Sequence, residues 1–425
     1  MAGCGMLSGQ IPIPAPPQDS AILLMNGIAH IGNGNVIENS LIAFEKGRIT
    51  LVADATNIRI DLGEYRVIHI DGKHVYPGMI TPNSTIGITE IGAVRATHDF
   101  REVGKYNPEV RSLIAYNSES RITPTVRTNG VLIGQITPRG GIISGTSSIV
   151  QFDAWNWEDA VIKSDDGIHL NWPSSRLPRQ IMVKKGKVNK FRKQHLKTID
   201  ELENYFRNAK AYAETADPPE VNLRMEAMRG LFDGSKTLFV HAQYAKDITE
   251  ALAFTRSFML PKVVLVGGYD AWRITDIIKD NHIPVILRRI YSLPVRPGED
   301  PDLPFKMPRL LQRAGVLFCL DNSGDMEAMQ TRNLPFMAGT AAAYGLSKEQ
   351  ALSAVTYNAA RILGIDEEFG TLQEGKSATL FVSDGDALDI KTNRVVYTFI
   401  HGRQIDLDNP QKYLYRKYKA RLDKQ

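Results

Sequence analysis

Five positions in the 425-residue chain have side chains and settings suited to chemistry. His241 ends the apolar run Leu238-Phe239-Val240, and Asp321 ends Val316-Leu317-Phe318-Cys319-Leu320. Asn83 and Thr85 follow Met79-Ile80 and, two residues apart on a strand, would point the same way. Arg139, in Pro138-Arg139-Gly140-Gly141, carries a fork able to clamp a carboxylate, although a Gly-rich turn bearing a surface Arg is the plainer reading. Imidazole and carboxylate can bind a metal or move a proton, but a His after Leu-Phe-Val also suits a hydrogen-bonded core, and an Asp suits a helix cap. Position decides between these readings: the C-terminal strand ends of a parallel α/β barrel are where functional side chains gather.

Residues 237–365 have that texture. Near-continuous apolar runs at Leu238–Val240, Val263–Val266, Ile283–Leu287 and Val316–Leu320 suit parallel strands covered on both faces. Helical periodicity separates them, with Ile248, Ala251 and Leu252 on one face. Gly130–Ile136 reads as the second strand and Ile142–Phe152 as holding the third. No fourth strand is evident in 153–236. A long insertion, Glu90–Val126, carries Thr97-His98-Asp99, and His98 is a candidate to swing over the site. Residues 21–76 alternate short apolar runs with turns, Glu45-Lys46-Gly47 reading as a tight hairpin.

Bulk composition excludes little. Apolar residues at 43% and charged ones at 23% are ordinary for a globular protein. The net charge of +4 is concentrated in 411–425, where six Lys/Arg face one Asp and alternate with Tyr413, Tyr415 and Tyr418. No nucleic-acid motif accompanies this basic tail, which is expected to be solvated and to lay its tyrosines on the body. The run Arg179–Lys197, with eight Lys/Arg and no acid, reads as a surface excursion. Cys4 and Cys319 give no disulfide framework, and no apolar run approaches the roughly 20 residues of a membrane span. Ala2-Gly3-Cys4 looks like the end of an export signal without its hydrophobic region. Two readings stand: a cytoplasmic protein with a frayed Pro-rich start, or an envelope protein whose natural start lies upstream.

Val75-Tyr76-Pro77-Gly78-Met79-Ile80 resembles the amidohydrolase superfamily, particularly its imidazolonepropionase-like branch. Gly370-Thr371-Leu372-Gln373-Glu374-Gly375-Lys376-Ser377-Ala378-Thr379-Leu380 and Thr356–Gly364 are similar to later elements of that family, with Thr379 where Asp is usual. The resemblance implies a (β/α)8 TIM-like barrel over 77–365, a composite β-sandwich from 21–76 and 366–405, a flexible 1–20 and a tail over 406–425. It also implies hydrolysis of a non-peptide carbon–nitrogen bond, of cyclic amide or deaminase type, using a divalent metal, commonly zinc. By that likeness His241 falls at a metal-ligand position and Asp321 at the proton-shuttle position.

The departures concern the ligands. Asn83 and Thr85 stand where two histidines belong, and Gly267 stands at the sixth-strand His. A catalytic zinc needs about three protein ligands, and His241 with Asp321 supplies two. The expectation is therefore impaired or lost metal catalysis. The alternative is a pseudoenzyme serving as a ligand-binding or scaffold subunit, as a homo-oligomer or beside an active relative. Under that alternative, His restored at 83, 85 and 267 should leave the fold intact and recruit metal.

Overall fold

The computed structural model describes residues 13–177 and 187–423. Ala2-Gly3-Cys4, residues 179–186 of the basic run and Lys424 lie outside the described residues.

Two eight-stranded sheets organise the described residues. The first takes strands from both ends of the sequence: β1 (Ile22–His30), β2 (Val36–Glu45), β3 (Arg48–Asp54), β4 (Arg66–His69) and β5 (His74–Pro77) join β14 (Leu380–Ser383), β15 (Val395–Ile400) and β16 (Arg403–Gln404). Its order is β16-β15-β14-β5-β1-β2-β3, with β4 beside β1. The seam between the chain ends is β14 against β5, where Tyr76 stacks on Phe381 at 5.2 Å. Successive residues of β1 and β2 face opposite sides, so Leu24, Ile42 and Phe44 fill one core while Leu23, Leu41 and Ala43 fill another. The hairpin between β2 and β3 turns on Lys46 and Gly47, both at positive φ, as a tight two-residue connection requires.

The second sheet is the barrel: β6 (Met79–Ser84), β7 (Val131–Ile136), β8 (Ile143–Gln151), β9 (Val161–Asn171), β10 (Thr237–Ala242), β11 (Val263–Gly267), β12 (Val285–Leu287) and β13 (Phe318–Leu320). Seven strands run parallel, and β8 runs antiparallel to both neighbours. The expected third strand is therefore present but reversed, because only a short connection separates it from β7. The fourth, unplaced from sequence, is β9. Its first half, Val161-Ile162-Lys163-Ser164-Asp165, is polar and partly exposed, so it lacks the apolar signature of its neighbours. The ring is completed by residues 354–355: Leu320 N donates to Ala354 O at 3.1 Å and Ile80 N to Val355 O at 2.8 Å.

Side-chain alternation divides the barrel strands between two cores. Ile80, Ile133, Phe239, Val264, Val266 and Ile286 point inward with Cys319, and helix Tyr357–Leu363 plugs that core with Ala359, Ile362 and Leu363. Met79, Val131, Leu238, Val240 and Leu265 point outward to the surrounding helices. Asn358 Nδ2 donates to Phe318 O, the first residue of β13, so the plug sits where the strands begin. The opposite end, where the strands finish, is left for a site.

The basic tail departs from expectation. It forms a helix, Pro410–Leu422, capped by Asn409 Oδ1, which accepts from Lys412 N at 2.8 Å. Tyr415 and Tyr418 stand in solvent, and Tyr413 alone of the three tyrosines is half-buried. No helix among the described residues is long and apolar enough to cross a membrane.

Candidate functional site

Asn83, next to last in β6, lies in the left-handed region, φ +49°, which Asn tolerates better than most residues. Its side chain and carbonyl thereby turn toward a neighbour. Arg139 Nη1 donates to Asn83 Oδ1 at 2.7 Å, and Nη2 donates to Asn83 O at 2.6 Å and to Glu327 Oε1 at 3.0 Å. The insertion holds this arginine from behind, its backbone N donating to Phe100 O at 2.7 Å.

Asn83 Nδ2 donates to Asp321 Oδ2 at 2.8 Å, and Ser323 N and Oγ donate to the same carboxylate at 2.5 and 2.6 Å. Asp321 is buried, and burial outweighs these donors and the nearby guanidinium, pushing its pKa up to about 6. A deeper row continues from the Asn83 backbone, whose N–H donates to Gln135 Oε1. Gln135 Nε2 donates to Asp166 Oδ2 at 2.8 Å, and Ser147 Oγ donates to Asp166 Oδ1 at 2.7 Å. Burial raises Asp166 to about 6 as well.

His241 does not stand alone. His169, on β9, places Nδ1 2.9 Å from His241 Nε2 and stacks on Phe239 at 4.7 Å between ring centres. His169 Nε2 is buried with no partner among the described residues. A buried orphan N–H costs more than an orphan lone pair, so the favoured tautomer has His169 Nδ1–H donating to His241 Nε2. Burial first, then the Arg139 charge, holds His241 at about 3, and burial with both neighbours holds His169 well below its ordinary value. Both rings are neutral at physiological pH.

Asn83, Thr85, His98, Arg139, His241 and Glu327 line one cavity of about 470 Å³ at the barrel mouth. The structure thus gathers the sequence candidates there, except that Asp321 lies beneath the floor and Gly267 is not part of the lining. His98 sits at the rim, its Nε2 3.1 Å from Ile91 O and its ring stacked on Phe100, without a bond to His241 or Asp321. His169, Glu327, Ser323 and the Gln135–Asp166 pair were missed from sequence. The signal available for His169 was the alternation Asp166-Gly167-Ile168-His169-Leu170, too short to stand out in a polar stretch. Beside His241 the fourth strand presents Asn171, whose amide donates to Gly140 O, Gly141 O and Ser144 Oγ.

A divalent metal does not fit these residues. Among the described residues no three His, Cys, Asp or Glu side chains converge as ligands. The Asp321 oxygens are already engaged by three donors, and a guanidinium stands between Asn83 and Glu327. Gly267 has φ +101°, and a Cβ there would lie 2.1 Å from Gln243 Nε2, so a His at 267 would strain the backbone and displace the Gln243 side chain.

The family profile described as "Amidohydrolase family" matches residues 180–405, more than half of the chain. The chain belongs to the amidohydrolase family. Among solved structures, an amidohydrolase from Thermotoga maritima MSB8 superposes with a TM-score of 0.78 at 23% identity, covering 90% of this chain and 99% of that one. A zinc-bound adenosine deaminase from Xanthomonas campestris gives a TM-score of 0.51 at 14% identity, covering 96% and 100%. A Xaa-Pro dipeptidase with methionine in its active site gives 0.54 at 14%, covering 91% and 99%. At these identities the likeness speaks for the shared fold. No curated protein matches the chain.

Proposed function

We propose that this amidohydrolase-family chain has given up metal-dependent hydrolysis and uses its barrel mouth to bind a small molecule. The observation that carries the reading is Arg139: its guanidinium bonds Asn83 and Glu327 and bears electrostatically on His241 and Asp321. A fixed organic cation thereby occupies the neighbourhood in which the family's ligands would gather around a metal. Anions that would hold a metal are committed to hydrogen bonds, and the two imidazoles are bonded to each other. The phrase Val75–Ile80 supports a place beside the imidazolonepropionase-like branch.

A residual hydrolase acting on non-peptide carbon–nitrogen bonds is the second reading. Asp321 favours it, since a carboxyl near 6 can carry a proton either way. Elemental analysis of the purified protein, with a screen of cyclic amides and deaminase substrates, separates the two. The binding reading expects sub-stoichiometric metal, no turnover and His241→Ala without kinetic consequence. Stoichiometric metal together with turnover abolished by His241→Ala would overturn it.

A further inference from the structure

We infer that helix Pro410–Leu422 is a docking element for an anionic lipid surface. At about 100° per residue, Leu414, Tyr415, Tyr418 and Leu422 fall within one arc of roughly 100°. All four are exposed, by 46% to 67%, although three of them share the face at i, i+4 and i+8 that normally seeks a core. None of the helix's residues is buried.

Charge surrounds this apolar arc on both sides. Lys417 and Arg421 flank one edge, Lys412 and Lys419 the other. Arg416 lies on the far side and is satisfied by Asp408 at 3.0 Å. Lys417, Lys419 and Arg421 have no carboxylate partner among the described residues. Lys417 and Lys419 instead lean over Tyr418 and Tyr415, each 5.9 Å from the ring centre, keeping their charge beside the apolar strip. An apolar centre edged by cations suits a membrane interface, where rings and leucines enter the headgroup boundary and lysines reach the phosphates. A protein groove would be served by the apolar strip alone, and a nucleic acid by the cations alone.

Thr125 Oγ1 donates to Gln411 Oε1 at 2.8 Å, which ties the first turn of the helix to the segment Thr123–Arg127.

The test is sedimentation of the full chain with vesicles of phosphatidylserine and phosphatidylcholine against vesicles of phosphatidylcholine alone, at low and high salt. The wild type should sediment with the anionic vesicles only and be released by salt. Lys417→Glu/Lys419→Glu/Arg421→Glu should weaken binding by about a hundredfold or more. Tyr415→Ser/Tyr418→Ser/Leu422→Ser should weaken it as well, with circular dichroism confirming the fold of both variants. Equal sedimentation with both vesicle types overturns the inference, as does retained binding in either variant. It is also overturned by salt-sensitive binding to duplex DNA or RNA that survives the serine variant, which would mark a nucleic-acid surface. Self-association abolished by the serine variant without vesicle binding would assign the strip to a second copy of the chain.

Discussion

Replacing Asn83 and Thr85 by His would place two imidazoles at the strand end, yet the structure predicts that metal would still bind poorly while Arg139 remains. A divalent ion at roughly 5 Å from the guanidinium, at an effective dielectric of ~20, is repelled by about 7 kcal/mol. Glu327, 3.0 Å from Arg139, offsets part of this charge. Halving the figure leaves about 3 kcal/mol, or roughly a hundredfold in affinity. Asn83→His/Thr85→His should therefore bind zinc on the order of a hundred times more weakly than the same variant carrying Arg139→Met. Chelator competition with elemental analysis reads the affinities, and thermal denaturation checks that both variants fold. Equal zinc affinity in the two variants would refute the idea that the resident cation excludes metal.

Asp166 offers a pH test. Its carboxyl is raised from 3.8 to about 6 by burial, so folding favours the protonated form. The stability it contributes is fully present below about 3.8 and is lost as pH rises through 6, a difference of about 3 kcal/mol. Wild type should thus lose about that much stability relative to Asp166→Asn between pH 4 and pH 7, read by urea denaturation of both proteins at each pH. A gap that does not move with pH would mean the carboxyl is ionised throughout. Gly267→Ala should destabilise the fold by about 2 kcal/mol or more, since it adds a Cβ at positive φ and drives it into Gln243. Gln243→Ala in the same chain should recover part of the loss; if Gly267→Ala alone leaves the urea midpoint unchanged, the steric argument is wrong.

The amino-acid order by itself determined the local structure and its arrangement along the chain. Apolar runs separated by helical periodicity marked the later barrel strands, and the Lys46-Gly47 turn marked its hairpin, because these signals arise from neighbours in sequence. That Asn83, Thr85 and Gly267 carry no imidazole was equally legible, since absence of a side chain needs no coordinates. Tertiary structure decided what surrounds these positions. Arg139 read as a turn residue until the left-handed backbone at Asn83 and the return of Glu327 brought three acceptor oxygens to it. His169 was invisible because β9 is half exposed and half buried, so its sequence averages to neither pattern; only pairing with β10 puts it on His241. The reversal of β8 and the joining of the barrel ends through 354–355 likewise depend on contacts between distant segments, which no local propensity encodes.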